Sequence, residues 1–210
     1  LNKSSDEYIN AEKVAKSYDL DYSEELIGQS NFAESIDQFL NDMDQPSIDG
    51  LNTWLISRAA SKKGWKVALS GVGLDEILGG YSSFDDIKKW MKIFGGISKI
   101  KGLGNLCYRA INYLPFDDTK ISPKFPGLFK YTYNTASTYF LKRCLFLPEE
   151  LPFLLSREII EEGIEKLNLI ECYSKHINEY NFKTEDFKIS SLESCFYMKN
   201  QLLRDIDWAG

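Results

Sequence analysis

The stretch that most constrains this chain is residues 66–81, which read KVALSGVGLDEILGGY. Val67, Ala68 and Leu69 form a short apolar run led in by Gly64, Trp65 and Lys66, the composition of a strand buried in a parallel sheet. The run stops at Ser70-Gly71-Val72-Gly73, where the two glycines let the backbone turn sharply and approach a ligand closely. Asp75, Glu76, Ile77 and Leu78 then read as the first turn of a helix. Ligands of open α/β sheets sit beyond the carboxyl ends of strands, near helix starts whose N–H groups suit phosphate. Two carboxylates beside a phosphate site suit a magnesium ion bridging phosphate oxygens. The same spacing also suits a plain strand–turn–helix connection whose acids favour a helix start.

The flanking pattern is helical. Apolar periodicity predicts helices over residues 6–18 and 51–63, and Asn31 to Glu34 has the spacing of a capping box opening a helix that ends before Pro46. Residues 21–27 form a weak strand candidate. Helix, loop, helix, then an apolar strand predicts an α/β layer with a mostly parallel sheet. Beyond Tyr81 the strand signal fades. Helices are predicted over 84–94, ended by Gly95 and Gly96, over 97–114, as one aromatic helix over 127–146, over 156–169, and as another that follows to Tyr180. The longest runs over 184–207, with Phe187, Leu192, Phe196, Leu203 and Ile206 facing inward. Residues 115–126, with three prolines, read as a loop.

Of the 210 residues, 43% are hydrophobic, enough for a substantial core, and net charge is −6. That balance, without a basic stripe, argues against nucleic acid as a partner. No apolar run reaches the roughly 20 residues that span a membrane, and no stretch of these residues reads as a signal peptide. The four cysteines (Cys107, Cys144, Cys172, Cys195) form no C-x-x-C pair and read as reduced thiols of a cytoplasmic protein. The single histidine, His176, lies in a polar helical segment and supports neither a zinc site nor a Ser-His-Asp triad.

Residues 44–53 (DQPSIDGLNT) and the run from Ser70 to Glu76, continued through Gly79-Gly80-Tyr81, closely resemble the synthetase domain of glutamine-hydrolysing asparagine synthetases. The resemblance extends to residues 145–152 (LFLPEELP) and 197–210 (YMKNQLLRDIDWAG), and is closest to a bacterial branch that accompanies surface-polysaccharide genes. It implies an adenine-nucleotide-hydrolase-like α/β fold, a partial parallel sheet flanked by helices, joined to a large all-helical part. Residues 1–84 would be the nucleotide-binding layer and 85–210 the helical part.

The chemistry it implies has two steps. The side-chain carboxylate of aspartate attacks the α-phosphorus of ATP and expels pyrophosphate. Ammonia, released from glutamine by a separate glutaminase domain, then displaces AMP to give asparagine. ATP and Mg2+ are the cofactors. Ser70, Gly71, Val72 and Gly73 resemble the nucleotide-binding positions, Asp75 the metal-side acid, and Glu76 a catalytic neighbour that orients the loop or touches substrate.

Three departures qualify the likeness. The family's pyrophosphate loop S-G-G-x-D-S and its glutaminase domain do not occur in these residues. Neither do the late S-L-E-x-R segment and a further lysine. The chain is therefore expected to be a segment, inactive alone. Finally, Val72 stands where the best-characterised asparagine synthetases carry glutamate. This keeps open a sibling ligase that amidates another carboxylate, alongside a non-catalytic protein that kept the fold. An incomplete sheet near Val67 to Leu69 predicts self-association, with a homodimer as its ordered form.

Overall fold

The computed structural model describes residues 7–25, 28–47, 49–112 and 124–210. Among them every regular element is a helix. In order these are α1 (Glu7–Ser17), α2 (Gln29–Asp42), α3 (Gly50–Lys62), α4 (Leu74–Leu78), α5 (Ser83–Lys99), α6 (Leu103–Asn112), α7 (Gly127–Tyr131) and α8 (Thr135–Arg143). After a 3-10 turn at Leu151–Phe153 come α9 (Arg157–Leu167), α10 (Leu169–Glu179) and α11 (Glu185–Leu192). A ten-residue π-helical segment, Glu193–Leu202, runs on into α12 (Leu203–Ala209).

The chain divides into two compact units, residues 1–68 with 205–210, and residues 69–204. In the first, Phe39, Trp54 and Ala209 form a small core with Ile36, Met43, Leu51, Leu55 and Trp208 around it. Its polar tie is Asp205, which accepts from Ser47 Oγ at 2.6 Å and from Trp208 Nε1 at 3.2 Å. In the second, α5, α8, α10 and α11 bury Phe84, Ile87, Tyr139, Tyr173, Ile189 and Leu192 together. A neighbouring cluster joins Tyr108, Tyr131, Leu141 and Leu147.

The expected α/β architecture is not what the chain forms. No strand occurs among the described residues, and neither a parallel sheet nor an adenine-nucleotide-hydrolase-like layer is present there. A strand exists only through ladder partners on a neighbouring segment. Among the described residues none lies alongside residues 65–71, so the run from Val67 to Leu69 has no regular structure and its side chains face solvent, Leu69 completely. The weak candidate at 21–27 likewise has no regular structure over 21–25, while 26 and 27 lie outside the described residues.

Several helix bounds moved for local reasons. Helix α2 starts ahead of the expected capping box, with Gly28 as its N-cap and no side-chain cap. Helix α5 continues through Gly95 and Gly96, because intrahelical bonding holds there and Gly95 packs closely on its neighbour. A Cβ at Gly95 would lie 3.1 Å from the Thr132 carbonyl oxygen. The helix expected over 97–114 breaks at Ile100–Gly102 instead, and residues 113 and 114 lie outside the described residues, as does 115–123 of the proline loop. The aromatic helix over 127–146 is two helices. Thr132 Oγ1 closes α7 by donating to the Leu128 carbonyl at 2.7 Å. Asn134 and Ser137 then cap α8 reciprocally, Asn134 Oδ1 accepting from the Ser137 N–H at 2.9 Å. Of the stripe expected to face inward over 184–207, Leu192 is fully buried, whereas Phe187, five residues earlier on another face of α11, and Leu203, past the π-helical segment, are exposed.

Candidate functional site

The glycine turn folds by local bonds. Ser70 Oγ accepts from the Val72 N–H at 3.2 Å, and the Leu74 N–H donates to the Gly71 carbonyl at 3.3 Å. Gly73 is the N-cap of α4 at φ +101°, a conformation side-chain-bearing residues rarely adopt. It is buried, and a Cβ there would lie 3.2 Å from Met198 Sδ. Past α4, the Gly79 and Gly80 N–H groups both donate to the Asp75 carbonyl at 3.0 Å. The motif therefore has a physical reason at each end: a turn only glycine makes easily, then a helix closed within five residues.

The predicted site residues separate into two environments. Ser70, Gly71, Val72 and Asp75 are exposed. Glu76, one residue on, is 1% exposed, although it follows Asp75 in the same first turn. Successive helical residues point about 100° apart, so one acid of the pair faces solvent and the other the interior. Among the described residues no three His, Cys, Asp or Glu side chains converge as a metal cage. The single exposed carboxylate of Asp75 nonetheless fits magnesium, which keeps several waters and takes one or two protein carboxylates alongside substrate phosphates.

What surrounds Glu76 was not visible in the motif. Its Oε1 accepts from the Tyr81 hydroxyl at 2.8 Å, while Oε2 is buried with no hydrogen-bond partner among the described residues. Burial first, and Glu76 second, hold the Tyr81 hydroxyl well above the usual tyrosine range, so it remains a donor. The Arg143 guanidinium stacks on Tyr81 at 4.8 Å and on Tyr197 at 3.7 Å. Arg143 in turn pairs with Glu193, which is completely buried. The directed bonds run from Arg143 Nε, 2.9 Å to Oε2 and 3.2 Å to Oε1. Nη2 lies 2.6 Å from Oε2 but off the hydrogen-bond direction. Ser83 Oγ donates to Glu193 Oε1 at 2.6 Å, and the Tyr139 hydroxyl to Oε2 at 3.2 Å. Burial alone would pull the guanidinium down, and the Glu193 carboxylate outweighs it and holds it above its ordinary value. One sequence signal could have found Glu193: an acid four residues after Ile189 and next to Leu192, on the buried stripe of a helix.

An apolar groove of about 440 Å3 opens elsewhere, between α9 and the turn that precedes it, lined by Phe146, Leu155, Ile159, Ile160, Ile164 and Leu167 among others. No charged side chain lines it, so it does not suit a triphosphate.

A sequence model described as asparagine synthase matches residues 1–158, which include the whole glycine turn and Arg143. The chain belongs to the asparagine synthase family, a family of ATP-dependent amidotransferase ligases. It is also similar to the putative asparagine synthetase (glutamine-hydrolyzing) 1 of Methanocaldococcus jannaschii, with 29% identity over 89 residues. That match covers 40% of this chain and 16% of the relative. No solved structure matches. Among the described residues no helix is long and apolar enough to cross a membrane.

Proposed function

We propose that the chain carries part of the carboxylate-activating site of a cytoplasmic, glutamine-dependent asparagine synthetase, with ATP and Mg2+ as cofactors and aspartate as the acceptor. The family match across residues 1–158 carries this reading, and the arrangement of the turn supports it. Adenylation concentrates negative charge on phosphate oxygens, and sites that run it need fixed donors and a cation where that charge develops. The backbone at Ser70, Gly71, Val72 and Gly73 would receive the nucleotide. Asp75 would hold the magnesium, which when bound neutralises phosphate charge. Glu76, buried behind the turn, holds the loop rather than meeting substrate.

The test uses the full-length gene product, because the curated relative is far longer than the stretch it shares with this chain. Aspartate-dependent ATP–pyrophosphate exchange is measured for the wild type and for Asp75→Asn. The substitution keeps shape and removes one negative charge from an exposed position. The expected loss is on the order of 10²–10³ in rate, with an unchanged thermal midpoint. Exchange within a few-fold of the wild type at limiting magnesium would remove Asp75 from the site.

Val72 favours a second reading. An exposed alkyl side chain in the turn can neither move a proton nor bind ammonium, which suits a sibling ligase acting on another carboxylate. Exchange supported by a different carboxylic acid and not by aspartate would select it, and Val72→Glu would then leave the preference unchanged.

A further inference from the structure

We propose that Arg143 is a positioning residue: clamped by Glu193, it fixes the Ser70–Glu76 turn through Tyr81 and Glu76. The inference rests on the reading of that turn as the nucleotide site. Each link is a contact. Glu193 opens the π-helical segment, a form that recurs at functional sites. Its carboxylate takes donors from α5 (Ser83) and α8 (Tyr139 and Arg143), so three elements meet on one buried acid. Arg143 is thereby held against the faces of the Tyr81 and Tyr197 rings, which meet each other edge to face, 5.9 Å apart. Tyr81 then donates to Glu76 at 2.8 Å, the one donor that reaches it among the described residues. The same π-helical segment supplies Met198, which packs on Gly73. The turn is gripped at its middle, Gly73, and at its end, Glu76, by groups tied to one segment.

Structural stability alone does not account for the arrangement. Among the described residues Glu76 Oε2 stays buried without a donor, and a buried carboxylate with an unmet oxygen costs stability that an apolar side chain would not. Arginine is also the side chain suited to do both tasks, since its planar fork pairs with a carboxylate while its face stacks on aromatic rings. Glu193 and Tyr197 lie beyond the residues matched by the family model, so the clamp joins the family's turn to a part of the chain that the match does not reach.

Arg143→Gln strands a fully buried carboxylate, so the working variants are Tyr81→Phe and Arg143→Lys. Tyr81→Phe keeps the stacked ring and removes only the hydroxyl. In the full-length protein, amide hydrogen exchange over residues 70–78 is expected to speed up in both, with α10 unchanged. Misplacing a binding loop by about 1 Å can cost on the order of 10²-fold. Here kcat is expected to fall by about that factor with little change in KM for the acceptor carboxylate. The two substitutions should not be additive, because the second acts on a link already broken. Unchanged exchange over 70–78 would overturn the clamp. So would an additive pair, or a rate loss matched by the unfolded fraction. A wild type that exchanges no pyrophosphate with any carboxylate would sink the functional reading instead, and the amide exchange would then decide the clamp alone.

Discussion

Two apolar stretches of this chain meet opposite fates. Val67 to Leu69 has the composition of a core strand and is exposed, Leu69 wholly so. Leu141, Ile189 and Leu192, no more hydrophobic, show no exposure at all. The difference is not composition. The second set sits on helices that satisfy their own backbone, so each needs only a neighbouring face to bury a stripe. The first set needs a neighbouring strand before its backbone is paired and its side chains are covered. Burial in helical packing is assembled from local pieces, whereas burial in a sheet depends on a partner that may be far along the chain.

Five measurements break or sharpen this contrast. Glu193→Ala should have the largest effect. It removes the acid from a buried ion pair and leaves Arg143 uncompensated, which costs about 3–5 kcal/mol. Denaturant melts would show it, and a loss under 1 kcal/mol would mean the acid is solvated. Leu141→Ala comes next, at about 2–5 kcal/mol, because a fully buried leucine leaves a cavity that its neighbours fill only in part.

Alkaline pH gives a smaller, graded effect. Burial pushes the Cys144 thiol up from its ordinary 9.0 to about 11 and the Tyr173 hydroxyl up to about 12. Both folded values are raised, so the stability they confer is fully present below pH 9. The Cys144 share is lost as pH rises from about 9 to 11, and the Tyr173 share follows toward pH 12. Thermal midpoints taken across that range for wild type and Cys144→Ala should fall less steeply in the variant. At pH 8, maleimide should label the exposed Cys172 and Cys195 well before Cys144.

Leu69→Ser should do least to stability, within about 0.5 kcal/mol, since nothing covers the side chain. It should instead reduce self-association of the 210-residue chain in light scattering. A destabilisation above 1 kcal/mol would show that this run is buried in solution and would erase the contrast.

Local signals were readable where the chain closes its own bonds. Helix α3 lies within one residue of the expected bounds, because its start, its apolar stripe and its end are all local. The start of α4 after Gly73 was readable for the same reason. The continuous aromatic helix was not, because the break at Thr132 is set by two side-chain caps that compete with helix propagation. At the site, Ser70, Gly71, Val72, Gly73, Asp75 and Glu76 stood out as a group, but the motif could not say that Asp75 faces water and Glu76 the core.

From the sequence alone came the turn, its two acids, the mostly helical second half and the likeness that family membership upholds. These depend on neighbours a few residues apart, and glycine, acid and apolar spacing encode them directly. The tertiary structure decided the rest. Arg143 and Glu193 are separated by 50 residues, and Ser83 and Glu193 by 110, so no periodicity links them. A charge in a helical stripe reads as a surface residue until packing removes its water, and it is then held by whichever partners the fold delivers. The same holds for Val67 to Leu69, whose composition states only that burial would be favourable, while a neighbouring strand is what makes it happen.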